Sequence, residues 1–417
     1  MKKVSFIVSL LLLILFAINS PAQQGSASGK DGKTPPEAQD RDALRAATQI
    51  KDASQRLLAL EKFINDFPQS SLKAVAKIHI FKAMIQSGKS EKDYLAMAED
   101  AINTFPDIPQ KALVLNDVAF TLAEIDKGLE LALKFAEQAL AKLPAEGKTE
   151  LRAAIQDTLG WIHFKRGNYP EAIKVLEASL QISEEADTFQ HLGEAYEKSG
   201  QSDKAIEALL NAVVLTDEND SVNKLALPKL KAAYAKKHGS EAGLDKLITE
   251  KAAARLKEVA LNKNRYEQVA PAWELKNPQG EIVRLSDLRG KVVVLDWWGS
   301  WCPPCRQELP HIQKLYESYK DKGVVVIGMN WEQPGPSSQD RINTAKKFIA
   351  ENKYTFPVVF DHDMQAGEKY QVDGFPTVFV IDRNGTIRYR TVGFMSNVAE
   401  ILEVQIQTEL ARKEDRK

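Results

Sequence analysis

The sequence predicts two unlike parts, an N-terminal α-helical solenoid and a C-terminal α/β domain. Three observations lead there. From about Ala43 to Ala260 the chain is rich in Ala, Leu, Lys and Glu, with apolar residues at helical spacing. Within that stretch the sequence repeats itself. Beyond about Tyr266 short β-branched runs alternate with helical ones.

The chain has 417 residues, enough for about two to four domains. Apolar residues are 44% and charged residues 27%, an ordinary globular balance that excludes general disorder. Lys plus Arg is 56 and Asp plus Glu is 57, a net charge of -1, which argues against a nucleic-acid partner held by a global positive field. Two cysteines cannot build a disulfide scaffold, and both lie in one tetrapeptide, Cys302-Pro303-Pro304-Cys305.

Residues 1–22 read as a signal peptide. Met1-Lys2-Lys3 is basic, Val4 to Ile18 is apolar, and Ser20 and Ala22 form a small-x-small cleavage site. The apolar run of about 15 residues is short of the roughly 20 that span a bilayer, and an uncleaved anchor is the alternative. The expected location is the periplasm, the cell envelope or the exterior, with at most one N-terminal membrane anchor. Residues 23–42, rich in Gly, Ser, Gln and Pro at their start, read as a flexible tether.

Residues 43–262 form the expected helical repeat domain. Three segments ending in Pro68, Pro106 and Pro144 echo one another 38 residues apart, as when a helix stops at proline once per unit. Two sharper units follow, offset by 33: Leu159-Gly160, Gly167, Tyr169, Ala172 and Leu176, then Leu192-Gly193, Gly200, Ala205 and Leu209. The small residues sit where two helices approach closely, and Gly167 and Gly200 where the turn needs a permissive backbone. These units resemble tetratricopeptide repeats, most specifically over 157–213; a generic helical bundle is the alternative. The resemblance implies an extended concave surface that holds a peptide or protein. His163, at an aromatic position of its repeat, and His79, between Ile78 and Ile80, read as packing residues rather than ligands.

From 266 onward, strands are expected at 292–298, 324–329, 357–360, 377–381 and 386–390, and helices at about 303–321, 340–352 and 396–412. Asn384-Gly385 marks a hairpin between the last two strands. The C-x-x-C pair falls at the first turn of the first of these helices. A thiolate there faces unpaired N–H groups and the positive end of the helix dipole, which lower its pKa. Cys302 is then the nucleophile and Cys305 the resolving cysteine. Pro303 and Pro304 suit a first turn, where their missing N–H is least costly.

The string Trp301-Cys302-Pro303-Pro304-Cys305-Arg306-Gln307-Glu308-Leu309-Pro310, with the approach Val283 to Leu295, resembles thioredoxin-fold proteins of the TlpA/ResA-like thiol–disulfide oxidoreductase group. The resemblance covers about 150 residues and implies a mixed central sheet flanked by helices over 266–417. It implies a redox-active Cys302–Cys305 disulfide and no cofactor beyond it. Asp296 then matches a buried acid that accepts the Cys305 proton, although asparagine is frequent there among the TlpA-like proteins. Glu308 matches a glutamate that tunes the cysteines' acidity. Gly374-Phe375-Pro376-Thr377 matches the cis-proline loop, with Trp301, Phe375 and Thr377 binding substrate.

Plainer readings stand beside these. Asp296 could be a core or capping acid, and Glu308 a solvated residue of its helix. The Trp331–Ser338 segment could be a tolerated surface loop, and Trp297, Trp298 and Trp301 are first of all core and site walls. Zinc lacks ligands, since His311 alone cannot complete a site, so no metal is expected. A permanent two-residue disulfide would stabilise little. A peroxidatic P-x-x-x-T-x-x-C pattern fails, because Leu295 and Gly299 stand at its Pro and Thr positions. The expected function is an exported oxidoreductase that reduces disulfide-containing client proteins, fed by a membrane thiol donor, with the repeats recruiting partners. In TlpA-like relatives this implies cytochrome c or metal-centre maturation. The alternative is an adaptor whose repeats bind a partner while the second domain is passive.

Overall fold

The computed structural model describes residues 36–412, apart from 145, 146, 148, 336 and 396. The expected signal segment, 1–22, lies outside the described residues, as does most of the expected tether. The rest of the tether is not extended chain: Pro36–Gln49 is a helix. Its apolar face, Leu44 and Ala47, joins the core of the repeats, and Ser70 Oγ donates to the Asp40 carboxylate at 2.5 Å.

The chain divides into two compact units between Ile248 and Thr249. That is earlier than the composition change near 262–266. Helix Leu244–Glu258 reads as repeat-like, yet the turn after it belongs to the second unit. Ala260 is buried, and its carbonyl accepts from Gln405 Nε2 at 2.8 Å.

The first unit is a run of helical hairpins, Pro36–Gln49 with Ala53–Asp66, Lys73–Gln86 with Glu91–Thr104, Lys111–Glu124 with Leu129–Ala141, Glu150–Lys165 with Tyr169–Leu180, and Ala186–Lys198 with Ser202–Val214; Ser221–His238 packs on the last of these, and helix Leu244–Glu258 starts in this unit and crosses its boundary. Pro68, Pro106 and Pro144 each follow the second helix of a pair, which ends at Asp66, Thr104 and Ala141. Asp52, Ser90, Thr149 and Asp220 cap helix starts by accepting from backbone N–H groups two or three residues on.

Close packing within pairs explains the small residues. A Cβ added at Gly160 would lie 2.5 Å from Leu176 Cγ, and one at Gly193 would lie 2.6 Å from Leu209 Cγ. Polar side chains link the first helices of successive pairs: Lys82 to Asp117 at 2.7 Å, Trp161 Nε1 to Glu124 at 2.9 Å, His191 to Asp157 at 2.9 Å, and Lys229 to Glu194. His79 is largely enclosed; burial, then Lys82 and Arg56, lowers its pKa to about 4, so it is a neutral packing residue. Among the described residues no helix is long and apolar enough to cross a membrane.

The second unit is a mixed sheet of eight strands in the order β1-β8-β7-β4-β5-β6-β2-β3. The strands are β1 Arg265–Val269, β2 Glu274–Lys276, β3 Ile282–Arg284, β4 Val292–Trp298, β5 Val324–Asn330, β6 Val358–Phe360, β7 Thr377–Ile381 and β8 Thr386–Val392. β4 runs parallel to β5, and β5 to β6, whereas β7 is antiparallel to β4 and β8 antiparallel to β7. Helices Pro303–Tyr319, Ser338–Glu351 and Val398–Ala411 accompany the sheet, close to their expected ranges. β4 is buried along its whole length, as a run that is apolar apart from Asp296 leads one to expect.

Gly193→Ala is expected to destabilise the repeats by about 1–3 kcal/mol, since the methyl group overlaps Leu209. Leu209→Ala in the same chain should recover part of the packing conflict while opening a cavity of its own. Thermal unfolding followed by circular dichroism, as a double-mutant cycle, measures the coupling.

Candidate active site

β4 carries the site to its position by alternation. Val292, Val294 and Trp298 face a core that includes Cys302 and Cys305, together with Leu309 and Ile312 of the following helix and Leu402 of the last one. Val293, Leu295 and Trp297 face the opposite core. Asp296 has the parity of Val294 and Trp298, so it points to the cysteine side, and it is 0% exposed.

The strand ends at Trp298, and the turn 299–301 leads straight into helix Pro303–Tyr319. Cys302 is the N-cap residue of that helix, and its Sγ accepts from the Cys305 N–H at 3.2 Å. Pro303 occupies the first helical turn, where no N–H is needed. The two cysteines form a disulfide with their Cα atoms 5.3 Å apart. Cys302 is 3% exposed and Cys305 fully buried, so only Cys302 has an edge toward solvent. Sulfur at this N-cap meets backbone N–H groups and the dipole's positive end, the environment that stabilises a thiolate.

Two carboxyl groups lie in the same core. Glu308 is one helical turn beyond Cys305 and only 1% exposed, so it is not a solvated residue of an open helix face. None of the four carboxyl oxygens of Asp296 and Glu308 has a hydrogen-bond partner among the described residues. Burial raises the pKa of Asp296. Burial raises that of Glu308 as well, and the charge of Asp296 adds to it. Neither can ionise cheaply, and both together least of all.

The Phe375–Pro376 peptide bond is cis. Phe375 packs against the cysteine-side core and lies 5.7 Å from Trp301, edge to face. Thr377 differs from the expected substrate-binding role. Its side chain is 0% exposed, and its hydroxyl donates to the Gly374 carbonyl at 2.7 Å, so it closes the loop rather than facing outward.

The segment after β5 is not a bland surface loop at its start. The Trp331 N–H donates to Trp298 O at 2.9 Å, and Trp301 Nε1 donates to Trp331 O at 3.2 Å. Gly299 makes that crossing possible: a Cβ there would lie 2.3 Å from Trp301 Nε1 and 2.6 Å from Trp331 O. Glu332 is buried and accepts from Ser300 N at 3.0 Å, Ser300 Oγ at 2.7 Å and Asn330 Nδ2 at 2.9 Å. Sequence reasoning missed Glu332. A polar loop hides it, and the one signal was its place directly after a buried strand. Among the described residues no three His, Cys, Asp or Glu side chains gather as a metal site, and His311 lies against Phe394.

The two raised carboxyl pKa values give the sign of a pH effect on stability. In the unfolded chain the groups titrate near their ordinary values, 3.8 and 4.5. The folded state keeps its protons to higher pH, so between those limits it binds more protons than the unfolded state. Stability therefore falls as pH rises through that window, by about 1.4 kcal/mol per unit of offset. Asp296→Asn is expected to flatten the decline, as measured by urea unfolding of the oxidised protein at a series of pH values. An unchanged slope would contradict the burial of an ionisable proton here.

Comparison with known proteins agrees with this geometry. Residues 266–390 match the AhpC/TSA family, and residues 186–217 match the tetratricopeptide repeat. Thiol-disulfide oxidoreductase ResA of Geobacillus kaustophilus is 39% identical over 127 residues, which cover 30% of this chain and 69% of that relative. ResA of Bacillus subtilis is 34% identical over 127 residues, covering 30% of this chain and 67% of its own. The crystal structure of StoA from Bacillus subtilis is 29% identical and covers 32% of this chain and 98% of its own, with a TM-score of 0.28. With its cysteine pair at the head of a helix and relatives of that identity and coverage, the chain belongs to the ResA-like thiol–disulfide oxidoreductases and carries a tetratricopeptide repeat in its helical half.

Proposed function

We propose that this oxidoreductase is exported and works as a reductant of disulfides in client proteins, with the helical repeats recruiting its partners. The observation that carries the reading is the Cys302–Cys305 pair at a helix N-terminus, set over two buried, unpartnered carboxyl groups. Export rests on the basic and apolar start of the chain, Met1 to Ala22. An exported compartment leaves disulfides to be reduced.

In the reduced enzyme the Cys302 thiolate attacks one sulfur of the client disulfide. The client S–S bond breaks, a Cys302–client disulfide forms, and the second client sulfur leaves as a thiolate that takes a proton. The Cys305 thiol then gives its proton to the carboxylate of the Asp296/Glu308 pair and attacks Cys302 Sγ. The client leaves as a dithiol, and the enzyme is left with the Cys302–Cys305 disulfide. Two electrons have passed to the client. A dithiol donor at the membrane restores them by the same exchange in reverse, so no cofactor beyond the cysteine pair takes part. The raised pKa values of Asp296 and Glu308 make one of the pair a proton acceptor matched to a thiol rather than a fixed anion. Trp301 and the cis-Pro376 loop flank the sulfur that the client must reach, and the Phe375 backbone, just outside the β7 ladder, can pair with an extended client segment.

Cys302→Ser is expected to abolish reduction of a protein disulfide and leave partner binding by the repeats intact. Cys305→Ser should accumulate the mixed disulfide with the client, visible as a dithiothreitol-sensitive adduct in mass spectrometry. Binding with no redox turnover in the native protein would instead favour the adaptor reading. Equilibration with dithiothreitol or glutathione buffers should place the pair near roughly −270 mV, the range of reductants; a value near roughly −120 mV would mark an oxidant and sink the reductant reading.

A further inference from the structure

We infer that Trp331 is a specificity-determining residue, and that the favoured clients carry an apolar side chain next to the cysteine under attack. The inference rests on the reductant reading above and names the kind of segment the site accepts.

The rim of the site is an aromatic cluster. The rings of Trp301 and Trp331 meet edge to face at 5.5 Å, and those of Trp331 and Phe375 stack at 5.6 Å with planes 24° apart. Trp301 is still 37% exposed, and Val392, beside Gly374 of the cis-proline loop, is 51% exposed. Packing within the chain covers neither side chain completely, so each leaves apolar surface open at the rim. The patch adjoins the N-cap sulfur of Cys302, where a client chain has to arrive for exchange to occur. The occupant of the patch is therefore the client segment itself. Apolar, aromatic-walled surface rewards an aromatic or aliphatic neighbour of the client cysteine and leaves a charged neighbour desolvated without a partner.

Trp331 is built into this rim rather than laid on it. Its N–H and C=O are bonded to Trp298 and to the Trp301 indole. The next residue, Glu332, is buried and holds Ser300 through both its N–H and its hydroxyl. The turn before Cys302 and the start of the loop after β5 are thus one body, and the three rings keep their mutual angles when a client docks. Pre-set rings lose little freedom on binding, which favours selectivity as well as affinity.

The test uses the full chain, pre-reduced, and two short synthetic peptides whose single cysteine is joined to glutathione. The peptides differ only in the residue before that cysteine, Phe in one and Glu in the other. The second-order rate of glutathione release is the readout, with oxidised glutathione as a small disulfide in parallel. The native protein should favour the Phe peptide by about tenfold, the scale of one apolar group in a pocket. Trp331→Ala should bring the ratio toward one, Trp331→Phe should keep most of it, and Val269→Ala, exposed on the distant edge strand β1, should leave it unchanged. Equal rates for the two peptides in the native protein would overturn the inference without need of any variant, as would a preference that survives Trp331→Ala. Failure to reduce either peptide or oxidised glutathione would overturn the redox reading first and this inference with it.

Discussion

Two carboxyl groups in an apolar core, without a hydrogen-bond partner, are the constraint around which the second unit is arranged. An ionised carboxylate in such a place is several kcal/mol out of balance, so the fold tolerates Asp296 and Glu308 by keeping a proton between them and never ionising both cheaply. Their proximity sharpens this, because the charge of one raises the pKa of the other. A pair that shares one proton beneath a disulfide still has one carboxylate, and that carboxylate can take the thiol proton when the disulfide reforms. The stability lost by burying these acids is then the counterpart of the exchange step proposed for the cysteines. β4 supplies Asp296 from a strand buried on both faces, and the helix supplies Glu308 one turn beyond Cys305. Neither could be moved to the surface without losing the environment that sets its acidity.

The same economy governs the turn between strand and helix. Cys302 must be at the N-cap, yet the three residues before it form no regular element, so something has to hold them. Glu332 and Trp331 do this from the end of the neighbouring parallel strand, β5, whose register with β4 places Asn330 opposite Trp298. Gly299 completes the arrangement by leaving room for the Trp301 indole to cross. Site residues on a loop are thereby placed with the precision of the sheet. The cis-proline loop closes from the other side, pinned by the Thr377 hydroxyl on Gly374.

Legibility followed the strength of local signals. β4 and β5 are mostly apolar runs, and the C-x-x-C pair sits between a strand and a helix, so that core of the site could be read directly. The hairpins at Gly160 and Gly193 were legible because close packing leaves only glycine at fixed offsets from leucine. Helix Ser221–His238 was not, since Pro228 interrupts the pattern inside it. β1, β2 and β3 were missed because Arg265–Val269 is polar and the other two have three residues each; pairing of β1 with β8, of β2 with β6 and of β3 with β2, not propensity, makes them strands. Glu308 could be read as solvated or buried because a helix presents both faces, and only the tertiary contact decides. Thr377 was assigned to substrate by its place in the motif, whereas its hydroxyl is spent on the loop. Glu332 had no periodic or motif signal at all: its importance lies in what it touches thirty-two residues away.

Thiol–disulfide exchange is chemically indiscriminate, since any accessible disulfide sulfur can be attacked by a reactive thiolate. Selectivity must therefore come from contacts that do not involve sulfur. On the proposed function this chain has two such sources at different ranges. The aromatic rim reads the residue next to the client cysteine, and a contact of that size separates clients by only about ten- to a hundredfold. The repeats hold a partner by surface far larger than one side chain, and tethering raises the effective concentration of a client disulfide near Cys302 without any new contact at the sulfur. Division of labour of this kind explains why no residue of the helical half is needed for the exchange itself: the sulfurs, the acids, the cis-proline loop and the ring cluster all fall within 296–377. It also explains why the rim can remain simple. A site that had to recognise its client alone would need more than three rings, and a site supplied with its client by the repeats needs only to favour the correct cysteine within it.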